Sequence, residues 1–179
     1  MAAASVVYWE EIPSDKPQPK NPQGRAPQPP KAPELNLKAM DADFGNTIRL
    51  AGYEYEARVP LTQTTALTVT LLWEATGTPI TDYTAFVHLL DRNGKYVTGF
   101  DRPPAENRIP THYWKPGDRS VSVLTPRVPG GLAPGTYQLW AGLYDTQSKG
   151  LARLPVSAAN LPVQNQSVLL GTIEFSTVP

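Results

Sequence analysis

The sequence predicts an all-β protein, an antiparallel β-sandwich of immunoglobulin-like or jelly-roll type with about eight or nine strands behind an extended Pro-rich N-terminal arm. Three observations lead there. Short runs of alternating apolar and polar residues recur along the chain, separated by Gly, Pro, Asn and Asp. No stretch keeps a helical period over about 10 to 12 residues. Of the 20 prolines, eight fall between Pro13 and Pro33, which splits one early run from all the others.

That early run holds Val6, Val7, Tyr8, Trp9 and Ile12, residues that suit a strand by propensity. Residues 13–34 then form a linker, stiffened because proline favours polyproline II at about 3.1 Å per residue. Residues 1–12 therefore read as a detached strand, free to return to its own sheet or to add to the edge of a protein partner or another copy. Residues 35–179 form one sandwich domain, a length suited to a single core.

Within that body, residues 44–58 read as two short strands hinged at Ala51-Gly52, with Ile48, Leu50, Tyr53 and Tyr55 buried. Residues 66–75 are the clearest strand, since Leu67, Val69, Leu71 and Trp73 alternate with Thr68, Thr70, Leu72 and Glu74. Residues 82–91 set Ala85, Val87 and Leu89 against Phe86, His88 and Leu90, and two apolar faces mark a central strand. Asn93-Gly94 suits a type I′ hairpin turn into a returning strand at 95–100. Residues 103–116 are a long irregular excursion holding Ile109, His112, Tyr113 and Trp114, and Lys115-Pro116-Gly117-Asp118 turns at its end. Pro126 makes 119–128 an interrupted edge strand. In 136–145, Tyr137, Leu139, Ala141 and Leu143 alternate with Gln138, Trp140, Gly142 and Tyr144; a short strand near Arg153-Leu154 and a closing strand at 168–175 complete the set.

Sixteen basic and sixteen acidic residues cancel, so no general field draws the chain to nucleic acid or an anionic membrane. Lys16, Lys20, Arg25 and Lys31 are solvated linker charge. No run approaches the roughly 18 apolar residues of a membrane helix, and residues 2–9 carry no basic leader. The absence of cysteine excludes disulfides, thiolate metal sites and cysteine nucleophiles.

No catalytic, cofactor-binding or metal-binding constellation stands out. His88 and His112 could recruit Asp91, Asp101 or Asp118 for a metal or general-base site, but they lack the H-x-x-x-H spacing of a metal pair and read as ordinary strand and loop residues. Asp91-Arg92-Asn93-Gly94 starts like a calcium loop, but Arg102 stands where the distal glutamate belongs. There is no G-x-S-x-G elbow, and neither Glu10-Glu11 nor Glu54 with Glu56 forms a hydrolytic carboxylate pair. The aromatic residues carry the binding expectation. Tyr113 and Trp114 in the long loop, with Trp140 and Tyr144 on the strand face opposite Leu139 and Leu143, would offer sugar rings an apolar face with a polar edge; the competing reading is that they pack the core.

Several phrases carry a family resemblance: Leu50-Ala51-Gly52-Tyr53, Leu71-Leu72-Trp73-Glu74-Ala75, the run from Asp82 to Asp91, and Gly142-Leu143-Tyr144-Asp145. With Trp114-Lys115-Pro116-Gly117, Pro134-Gly135-Thr136-Tyr137 and Leu170-Gly171-Thr172-Ile173 in the same order, residues 44–175 resemble a β-sandwich module. It stands at the C-terminus of glycosyltransferase-like membrane proteins of filamentous green bacteria, similar to the dolichyl-phosphate-mannose mannosyltransferase type. The resemblance implies a sandwich fold and a bacterial, extracytoplasmic location, and carries over no catalytic residue. The expected function is a non-catalytic accessory or interaction module at the cell surface. The alternatives are a filament subunit that donates Val6 to Ile12 as an exchanged strand, and a module that binds a cell-surface glycan.

Overall fold

A strand with one apolar face must cover that face with a second sheet, and the chain does so with two antiparallel sheets. The computed structural model describes residues 36–57 and 64–175. Val6, Val7, Tyr8, Trp9, Ile12 and the linker 13–34 lie outside the described residues. The strands are β1 (Lys38–Phe44), β2 (Ile48–Ala57), β3 (Thr65–Ala75), β4 (Tyr83–Leu90), β5 (Tyr96–Arg102), β6 (Arg119–Leu124), β7 (Arg127–Val128), β8 (Gly135–Asp145), β9 (Val156–Ser157), β10 (Val163–Gln164) and β11 (Ser167–Phe175). Sheet I has the order β6-β3-β2-β1-β9, with β7 also on β3; sheet II has the order β10-β11-β8-β4-β5. The described residues thus form an all-β antiparallel sandwich.

The core lies between the sheets. Leu50, Leu71 and Trp73 from sheet I meet Leu89, Leu139, Leu143 and Val168 from sheet II, all but fully buried. Each such side chain contributes about 1.5–3 kcal/mol by leaving water. Phe44 meets Trp73 edge to face at 5.7 Å. β4, apolar on both faces, lies inside sheet II between β8 and β5.

The expected pair of strands hinged at Ala51-Gly52 is one strand, β2, with a bulge between Leu50 and Gly52. The extra residue shifts the inward positions from Ile48 and Leu50 to Tyr53 and Tyr55, which pack half-buried at the core margin. A matching bulge between Leu169 and Gly171 shifts β11 from Val168 and Leu170 to Ile173 and Phe175. The two irregular points meet across the sandwich, where the Tyr55 hydroxyl donates to the Thr172 carbonyl at 3.2 Å. A Cβ on Gly171 would lie 2.5 Å from that hydroxyl.

The hairpin geometry is also redistributed. At Asn93-Gly94 only Gly94 has positive φ; Asp91 accepts the Gly94 N–H at 2.9 Å, and its Oδ1 takes the N–H groups of Asn93 and Lys95. This is a type I turn closed by a left-handed glycine, the three-residue alternative to type I′. Two consecutive positive φ values occur instead at Gly45 and Asn46, which join β1 to β2, and at Asn165 and Gln166, which join β10 to β11. The strand expected near Arg153-Leu154 reduces to a single bridge between Arg153 and Tyr144, flanked by the short strands β9 and β10.

Candidate ligand-binding face

Alternation in β4 and β8 sends Ala85, Val87, Leu89, Tyr137, Leu139, Ala141 and Leu143 into the core, and so sends Thr84, Phe86, His88, Trp140 and Tyr144 to the outer face of sheet II. The register sets Thr84 beside Tyr144, Phe86 between Gly142 and Asp101, and His88 between Trp140 and Gly99. Two glycines make room for the rings. A Cβ at Gly142 would lie 2.5 Å from the Phe86 ring, and one at Gly99 would lie 2.7 Å from His88 Cδ2.

The rings gather around one carboxylate. The Tyr144 hydroxyl donates to Asp101 Oδ2 at 3.2 Å, and His88 Nε2 stands 3.9 Å from Asp101 Oδ1. Phe86 lies 4.6 Å from the His88 ring and 6.2 Å from that of Tyr144, while Tyr96 meets His88 edge-on at 5.1 Å. Arg153 caps Phe86, its guanidinium 4.5 Å from the ring centre, and donates to the Asn165 carbonyl. Burial, then Arg153, push the His88 pKa down against an opposing pull from Asp101. Burial and Asp101 push the Tyr96 and Tyr144 phenols up. At neutral pH the face therefore presents a neutral imidazole and two neutral phenols around Asp101.

A cleft of about 240 Å³ opens at the start of β4, lined by residues that include Asp82, Thr84, Pro103, Pro110, Thr111 and Gln147. Thr84 joins it to the aromatic group, since it lines the cleft and stands directly opposite Tyr144 in the β4–β8 register. Thr111 holds the wall in place: its buried Oγ1 donates to the Thr81 carbonyl at 2.9 Å and accepts the Tyr83 N–H at 2.8 Å. At the rim, His112 Nδ1 lies 2.8 Å from Asp82 Oδ1.

The four aromatics named from sequence separate. Trp114 is 3% exposed and donates its indole N–H to the Ile109 carbonyl; it fills the core, the packing reading of the two the sequence offers for it. Tyr113 is 65% exposed and stacks near His112 at the cleft end. Trp140 faces outward beside His88 but is 5% exposed, with its indole N–H on Gln138. Tyr144 alone of the four joins the Asp101 group. The sequence offers His88 and Asp101 only as a conceivable metal or general-base pair, and Phe86 and Tyr96 not at all. The outward parity of Phe86 and His88 was a legible signal, but the register that brings Tyr96 and Asp101 to them was not.

No family model and no curated protein matches the chain. Among solved structures it is similar to a β-glucuronidase from glycoside hydrolase family 2, with TM-score 0.44 and 11% identity over 59% of this chain and 10% of that one. It is also similar to the C-terminal domain of Wzt, with TM-score 0.45 and 13% identity over 84% of this chain and 90% of that one.

Proposed function

We propose that this chain is a non-catalytic, extracytoplasmic binding module of the cell surface, and that it takes a carbohydrate on the outer face of sheet II. The observation that carries this reading is the grouping of Phe86, His88, Tyr96 and Tyr144 around Asp101. Tyr96, 55% exposed, and the half-buried Tyr144 offer apolar ring area next to hydroxyls and a carboxylate acceptor. A sugar ring presents the complement, with C–H groups on its faces and hydroxyls at its edge.

The test is binding of the full chain to an array of bacterial surface and plant glycans, repeated with Tyr144→Ala and Tyr96→Ala. The expected outcome is binding by the wild type that both substitutions weaken tenfold or more, at an unchanged melting temperature. Retention of every bound glycan by both variants would remove the face from the function. Mass in solution, compared with that of a chain starting at Leu35, tests separately whether Val6 to Ile12 joins one copy to another.

A further inference from the structure

The outer side of β4 carries Thr84, Phe86 and His88 in line, each about 7 Å from the next. The cleft lies at the Thr84 end and the Asp101 group at the other, and the pairing of Thr84 with Tyr144, which holds Asp101, makes the two continuous. The cleft is below the roughly 300–1,000 Å³ of sites for drug-sized ligands, so it holds one ring of a longer molecule.

Two carboxylates along this track keep acceptor oxygens open. Asp82 commits Oδ1 to His112, and Asp101 commits Oδ2 to Tyr144, so each carboxylate keeps an oxygen without a hydrogen bond among the described residues. The nearby cations are turned to other tasks: Arg153 caps Phe86 and bonds Asn165, and Arg102 lies 5.8 Å over Phe100. His88 is held neutral. The track therefore offers acceptors to hydroxyl donors at Asp82 and Asp101, where a ligand carboxylate set against either open oxygen is repelled.

Resting on the carbohydrate reading above, we infer that the ligand is a neutral oligosaccharide, one sugar held in the cleft by Asp82 and a neighbouring sugar held against Tyr144 by Asp101. The two carboxylates determine specificity by accepting hydroxyl hydrogens and excluding uronic acids. The experiment is calorimetric titration of the full chain with mannotetraose, galactotetraose, cellotetraose and tetragalacturonate, for the wild type, Asp82→Asn and Asp101→Asn. At least one neutral tetrasaccharide is expected to bind ten times or more tighter than tetragalacturonate. Each Asn variant should weaken that neutral ligand roughly tenfold, the scale of a hydrogen bond to a charged group, and should narrow the gap to tetragalacturonate. Both aspartates are partly exposed, so an unchanged melting temperature certifies the variants. Equal or tighter binding of tetragalacturonate, or full affinity in both variants, would overturn the assignment while leaving carbohydrate binding intact. Failure of the wild type to bind any of the four, or any glycan of the array, would remove the carbohydrate reading itself.

Discussion

On the outer face of sheet I a polar row runs across four strands, from Asp43 on β1 through Arg49 and Glu74 to Arg119 on β6. On the outer face of sheet II the cross-strand rows carry rings around Asp101. Both faces contain a carboxylate among neighbours of complementary chemistry, but they differ in closure. Glu74 meets Arg49 at 2.9 Å through one oxygen and Arg119 at 2.8 and 3.0 Å through the other. Among the described residues Asp101 has one hydrogen bond, and its second oxygen is 3.9 Å from His88. A closed carboxylate serves the fold. An open one beside exposed aromatic rings is available to a ligand.

The strongest way to break this contrast is to fill the floor of sheet II. Gly142→Val places atoms where the Phe86 ring already lies, and the ring, buried under Arg153, has no free direction in which to move. Overpacking of this kind costs about 3 kcal/mol. Denaturant unfolding should show that loss, and carbohydrate affinity should fall with it because Phe86 positions His88 and Tyr144. A variant of full stability would mean that the ring has room not seen in the packing.

Sheet I offers the converse case. Glu74→Ala leaves Arg49 and Arg119 facing each other without their shared partner, and Glu74 itself is mostly buried. Breaking a buried pair costs about 3–5 kcal/mol; with each arginine a third exposed to solvent, the loss here should be about 2 kcal/mol. Affinity for carbohydrate should not change. If Glu74→Ala weakened binding as much as Tyr144→Ala, the division of labour between the faces would fail.

A smaller effect of opposite sign is expected at Ser122 on β6. It is fully buried, and its hydroxyl finds no hydrogen-bond partner among the described residues. Ser122→Ala removes an unsatisfied polar group without opening a large cavity, so it should raise stability by up to about 1 kcal/mol. A loss in chemical denaturation would show that the hydroxyl has a partner.

The residues that were legible from sequence and those that were not differ in range. Strand type, the central place of β4 and the inward residues of β3 and β8 follow from period-two alternation, a local property. The tyrosine positions of β2 were readable as buried, but a bulge produces them, and a break in alternation reads equally well as a hinge between two strands. β1 was missed because its inward positions include the small Ala42, and β9 and β10 because two residues cannot show a period. The candidate site depends on register. Asp101 joins Tyr144 across 43 positions, and no local pattern reports that pairing. Trp114 illustrates the reverse problem, since a tryptophan in a long polar loop looks available until its loop folds back onto the core.

The last contrast between the faces is in their response to pH. His88 is the titratable group on sheet II held below its ordinary value of 6.5, first by burial and then by Arg153, with Asp101 opposing. As pH falls, the unfolded chain takes up this proton before the folded chain does. The stability contributed by neutral His88 is therefore fully present above about pH 6.5 and lost as pH falls from there through the lower folded value. Between pH 7 and 5 the wild type should lose stability more steeply than His88→Gln, in paired urea titrations at each pH. Carbohydrate affinity should fall over the same range, because a protonated imidazole 3.9 Å from Asp101 competes with the ligand for its open oxygen. In His88→Gln that loss should be absent. Parallel curves for the two proteins would show that the imidazole is as free to take a proton in the folded chain as in the unfolded one, and would remove His88 from the control of the open carboxylate.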